Sequence, residues 1–130
     1  MKNKFLETGE HGYHPLRKFK VILSGLRFAV LHDFSVMYKI VLSTIILIPT
    51  IIFSAWIDAS LIILATGVML AAELFNTAIE AICDFMETRH NEKIGIIKDI
   101  AAAATGISIF AWICVLCLES IELFKSFLYF

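Results

Sequence analysis

Three stretches, residues 40–57, 59–72 and 100–118, carry no charged side chain. A helix rises about 1.5 Å per residue and a bilayer's hydrocarbon core is about 30 Å thick, so the first and third can cross as single helices. The second is too short to cross alone. Its helix must run on through Glu73, Asn76 and Glu80 toward Asp84, which brings acids to membrane depth. Lipid offers no partner to an unpaired backbone group, so such spans must be helical throughout. The expected fold is all-α, a single membrane domain over residues 1–130: a polar leader (1–12), a helix over 14–33, spans at 36–57, 59–85 and 96–120, and a polar loop at 86–95. A hydrophobic share of 59%, against about half for soluble domains, fits that solvent.

In the helix over 14–33, Leu16, Phe19, Leu23, Leu26 and Val30 recur at spacings of three and four, with Arg17, Lys20, Ser24 and Arg27 on another face. This predicts an amphipathic helix whose basic side lies on anionic headgroups. Of the eleven Lys and Arg residues, all but Lys125 fall before the first span, Lys39 among them, or between the second and third. The positive-inside rule then places the N-terminus and the 86–98 loop in the cytoplasm and the Asp58 turn outside. No short apolar core with a small-residue cleavage site stands near the start, so the spans are expected to be retained. Pro49 is a candidate kink in the first span, and the small residues 101–105 allow close packing in the third. Cys114 and Cys117 form a C-x-x-C pattern without a second pair or a nearby His, which suits packing better than zinc or redox chemistry. A net charge of −1 gives no reason to expect a nucleic-acid partner.

Glu73, Asn76, Glu80 and Asp84 are spaced 3, 4 and 4, so they project from nearly one side of a helix. An ionised carboxylate facing lipid at mid-span costs about 2.5–3.5 kcal/mol, so such groups face a protein interior or a wet cavity. Hydrogen bonding between helices is one reading of the row, and a site that acts on something is the other. Lys98 and Asp99 open the third span at the same depth. A helix start favours anions and an adjacent lysine strengthens that preference. A salt bridge from Lys98 to Glu80 or Asp84 is the competing account.

The run Glu73, Leu74, Phe75, Asn76, Thr77, Ala78, Ile79, Glu80 and then Asp84 resembles the signature of the prokaryotic diacylglycerol kinase family, which includes undecaprenol kinases. The likeness extends to Lys98 and Asp99 before the alanine run, and to Gly25, Leu26 and Arg27 upstream. It implies an ATP- and Mg2+-dependent kinase of the bacterial inner membrane, a homotrimer of three-span protomers that phosphorylates diacylglycerol to phosphatidic acid, or alternatively undecaprenol. By similarity Glu73 would take the proton from the lipid hydroxyl, Asn76 would position the reacting groups, and Glu80 with Asp33 would bind the metal. Lys98, Asp99, Asp33, Glu80, Arg89, His90, Asn91, His14 and Arg17 would surround ATP, and Glu73, Gly25 and Arg27 the lipid. Asp33 stands where the family normally carries glutamate, and His14 and Val21 where some members place an arginine and a tyrosine. His11 and His32 have no matched role and read as interfacial residues.

The residues themselves agree with that chemistry. Phosphoryl transfer needs in-line positioning, a metal on phosphate oxygens and positive charge for the developing anion. A partly desolvated carboxylate is a stronger base toward an alcohol than an exposed one. No Walker sequence, kinase glycine loop or DFG triplet is present. Two other classes fit intramembrane acids: a cation-conducting assembly and a non-enzymatic scaffold. Against conduction, residues 59–72 offer nothing ionisable to continue a relay.

Overall fold

A computed structural model describes residues 14–54, 56–87, 89 and 91–128. The expected leader, His11 and His90 lie outside the described residues. Four helices follow one another: α1 (Pro15–His32), α2 (Phe34–Phe53), α3 (Trp56–Met86) and α4 (Glu92–Leu128). The last three are long and apolar enough to cross a membrane.

Local chemistry sets the helix limits. Pro15 starts α1, where its missing N–H is no loss. Asp33 has extended backbone, ends α1 and caps α2, its side chain accepting the Ser35 N–H. The Asn91 side chain likewise accepts the Lys93 N–H at 3.0 Å, so α4 begins at Glu92. Asp58, expected in a turn, lies in the first turn of α3, where a carboxylate suits the positive end of the helix dipole. Pro49 does not interrupt α2, and the Thr50 hydroxyl one residue on donates to the Ile46 carbonyl at 2.8 Å. At 37 residues α4 is roughly 55 Å long, so its ends stand beyond a hydrocarbon layer of about 30 Å or it tilts strongly.

The pairings fix the topology. Lys39 meets Glu73 and Ser43 meets Thr66, so α2 and α3 run antiparallel; Thr105 reaches Ala72 and Lys98 reaches Asp84, so α3 and α4 do too. At the far end Ser126 donates to the Phe53 carbonyl, and Phe127 stands edge-on to Phe53. Ile62, Met69, Trp112 and Leu116 form the core, with Ile46 and Leu47 of α2 packed against them. Ser43 joins all three spans, its hydroxyl oxygen accepting from Trp112 Nε1 and Thr66 Oγ1, each at 2.9 Å.

The exterior is apolar. Ile45, Ile48 and Ile52 on α2, Leu64 and Phe75 on α3, and Ile107 and Phe110 on α4 are all exposed, an arrangement suited to lipid and not to water. Within 101–105, Ala101 and Thr105 alone are buried against α3, and the three alanines between them face out. The apolar stripe expected on α1 divides: Leu26 and Val30 are half-buried toward the protein, whereas Leu16, Phe19 and Leu23 are exposed. Cys83 is buried, Cys114 and Cys117 are exposed, and all three thiols are free.

Candidate active site

The acidic row lies along α3 as its spacing predicts, but its members meet different neighbours. Glu73 is 6% exposed and turned toward α2, where its Oε1 receives the Lys39 ammonium. Asn76, half-buried one turn on, donates from Nδ2 to Glu80 Oε1 at 2.8 Å. Its amide oxygen is buried and meets no donor among the described residues. Glu80 is half-buried; Asp84, the outermost, is open to solvent and pairs with Lys98 at 2.5 Å.

Lys39 is the residue that the sequence reading missed, having been grouped with the basic residues before the first span. It is 2% exposed, on a face of α2 where Val36, Ser43 and Thr50 are also buried. That spacing was a usable signal: a lysine in register with a buried face needs a partner inside. Its ammonium also donates to Ser35 Oγ at 2.6 Å, and the Ser35 N–H donates to Asp33 Oδ1 at 2.8 Å. A continuous string of polar contacts thus runs from Asp33 through Ser35 and Lys39 to Glu73.

Asp33 and Glu80 line the same groove between α1 and α3, about 700 Å3 in volume and otherwise mostly apolar, with Ile22, Gly25, Leu26 and Ala29 on one wall and Leu74, Thr77 and Ala81 on the other. A Cβ placed on Gly25 would meet nothing within 4 Å, so the groove is open there. Among the described residues no three His, Cys, Asp or Glu side chains come together as a metal cage. Two carboxylates at one groove still fit Mg2+, which is usually held by one or two carboxylates together with substrate phosphates. One Asp33 oxygen is committed to capping α2, so Oδ2 is the oxygen left for a cation.

The residues expected around a nucleotide are spread more widely. Lys98 and Asp99 sit past the first turn of α4, not at its start, because Asn91 caps the helix several residues earlier. Their backbone N–H groups lie inside the helix, and the terminus that favours anions belongs to Glu92, where Asn91 Oδ1 already accepts the Lys93 N–H. Lys98 is engaged with Asp84 and Asp99 is exposed. Arg89 donates its backbone N–H to Glu87 Oε1 at 3.0 Å in the connecting loop. His14 and Arg17 line a separate hollow of about 360 Å3 at the start of α1, which shares Val21 and Ile22 with the main groove. Arg27 is exposed and is not part of the groove wall.

Compared with known families, residues 20–119 match the family described as prokaryotic diacylglycerol kinase. No curated protein matches the chain. The matched segment contains the groove, the acidic row, Lys39 and Lys98, and leaves His14 and Arg17 outside it.

Proposed function

Because the chain belongs to the prokaryotic diacylglycerol kinase family, a family of membrane lipid kinases, we propose that it transfers the γ-phosphoryl group of ATP to the hydroxyl of diacylglycerol, giving phosphatidic acid. The observation that carries this reading is the meeting of Asp33 and Glu80 in one apolar groove, with Glu73 about two turns before Glu80 on the same helix. An acyl chain fits the groove, and its two carboxylates offer a place for a cation on phosphate oxygens.

In this scheme Glu73 accepts the proton from the acceptor hydroxyl. Its Oε1 holds Lys39, so Oε2 takes the proton. The hydroxyl oxygen bonds to the γ-phosphorus, and the bond from that phosphorus to the bridging oxygen breaks, leaving its electron pair on ADP. Asn76 orients the reacting groups through its unpaired amide oxygen. Glu80 and Asp33 would hold Mg2+, which would screen phosphate charge. Lys98, Asp99, Arg89, His90, Asn91, His14 and Arg17 form the nucleotide side, and Gly25 and Arg27 the lipid side. The apolar outer faces of α3 and α4 suit a homotrimer, and the basic α1 suits the cytoplasmic surface of a bacterial inner membrane, with the connection between α3 and α4 on that side.

Purified protein in detergent or lipid, given ATP and Mg2+, should form phosphatidic acid from diacylglycerol faster than a polyprenol phosphate from undecaprenol. Glu73→Gln should cut the reaction to a small residual rate with the helices intact. Full activity in that variant refutes the base assignment, and preference for the polyprenol refutes the choice of acceptor.

A further inference from the structure

We infer that Lys39 is a positioning residue for phosphoryl transfer, holding the Glu73 carboxylate so that Oε2 faces the acceptor hydroxyl. The inference rests on the role proposed above for Glu73. A glutamate side chain has three rotatable bonds, and an unfixed carboxylate would spend much of its time misdirected. Lys39 removes that freedom. Its ammonium is buried, spans from Ser35 Oγ to Glu73 Oε1, and belongs to a helix packed against the one that carries Glu73.

The same ammonium ties two parts of the site together. Ser35 accepts from Lys39 and donates its backbone N–H to Asp33, so the groove acid on the α1–α2 corner and the acid on α3 are referenced to one lysine. A shift of Asp33 at the corner is passed to Glu73 through three hydrogen bonds, by way of Ser35 and Lys39, and no flexible loop.

A role in fastening α2 to α3 is the alternative. That junction already has Ser43 with Thr66 and Trp112, and the Ile62, Met69, Trp112 and Leu116 core behind it. Buried ion pairs are poor fasteners, because desolvation cancels much of their attraction and apolar side chains of similar volume do as well or better. The pair therefore calls for a reason other than stability, and its carboxylate sits in the acidic row.

The test uses the full chain in detergent, with kcat and KM for ATP and diacylglycerol measured beside helix content and thermal unfolding. Lys39→Met should lower kcat by about 10²-fold, the scale of a misplaced reacting group, with KM for ATP unchanged. Lys39→Arg, which keeps a donor, should recover most of the loss. In a Glu73→Gln background Lys39→Met should remove nothing further from the residual rate. Wild-type kcat in folded Lys39→Met, or the same fold-loss in both backgrounds, overturns the inference. If Lys39→Met does not fold, Lys39→Gln replaces it under the same two criteria. Full activity of Glu73→Gln instead overturns the base assignment, and this inference with it; loss with Glu73→Gln but none with Lys39→Met overturns this inference alone.

Discussion

Asp33 caps α2 and, in the function proposed, holds a metal ion, two tasks that point substitutions can separate. Its Oδ1 caps α2 through the Ser35 N–H at 2.8 Å, and its remaining oxygen is available to the groove shared with Glu80. Asp33→Asn keeps a side-chain acceptor of equal capping quality and removes the charge. Asp33→Glu keeps the charge but moves the carboxylate one methylene away from Ser35. Losing a cap costs about 1 kcal/mol, within a range of about 0.5–2. Ser35 is half-buried, which favours the upper half of that range. The charge can be priced from its lower bound: a unit pair about 4 Å apart in bulk water attracts by about 1 kcal/mol, hence about 2 kcal/mol for a divalent ion. That is roughly a thirtyfold weakening of Mg2+ affinity. Thermal unfolding by circular dichroism without Mg2+, and initial rates against Mg2+ concentration, read the two effects independently. Asp33→Asn should unfold within a few tenths of a kcal/mol of wild type and need roughly thirty times more Mg2+ for half-maximal rate. Asp33→Glu should be less stable at low Mg2+ and keep its metal requirement. An Asp33→Asn protein with unchanged Mg2+ dependence refutes the metal role. An Asp33→Asn protein less stable than Asp33→Glu refutes the division of tasks.

Further outcomes follow from other contacts. Ser43→Ala strands the buried Trp112 N–H, while Thr66 can turn back to its own helix; unfolding in detergent should show a loss of about 1–2 kcal/mol, against almost none for Ser108→Ala, whose hydroxyl is exposed. Lys39→Met should destabilise by about 3–5 kcal/mol because it leaves Glu73 buried and unpaired, and the Lys39→Met/Glu73→Gln double variant should recover much of that loss. Lys98→Ala breaks an exposed pair and should change stability by no more than about 1 kcal/mol while raising KM for ATP. Gly25→Leu, which fills open space in the groove wall, should raise KM for diacylglycerol and leave KM for ATP alone.

Much of the architecture was legible because lipid simplifies the problem. Uncharged runs long enough to span must be helices, and a row spaced 3, 4 and 4 can occupy only one side of one of them. What sequence reasoning missed lay at the helix ends and in one inward-facing cation. Asn91 followed by Glu92 is a cap signal, but residues 86–95 read as a polar loop and the last span as beginning at 96. The consequence was to credit Lys98 with a helix terminus that belongs to Glu92. Asp33 was read for its charge alone, although an aspartate two residues before a serine N–H is also a cap. Lys39 was missed for a different reason. A basic residue near a span end is usually at the interface, and only its register with Val36 and Ser43 betrays that it points inward.

The acidic row then makes sense as a gradient in the cost of charge. Glu73 is nearly sealed from solvent, where an uncompensated carboxylate is most expensive, and it has the most intimate counter-ion, a lysine sealed with it. Glu80 is half-buried and has a neutral amide donor in Asn76. Asp84 is exposed, where water already solvates it, and its contact with Lys98 adds little. Each partner thus matches the desolvation of the acid it serves, as expected for a helix climbing from hydrocarbon into an interface. The roles proposed for these acids follow the same gradient. An acid that must take a proton from an alcohol works best where water cannot compete, an acid that shares a cation with phosphate must be reachable from the groove, and the outermost acid is left for the surface. Moving the lysine partner by one residue along α2 would turn it off the buried face and strand Glu73. The register between Lys39 and Glu73, more than the acidic signature alone, is what fits this row to membrane depth.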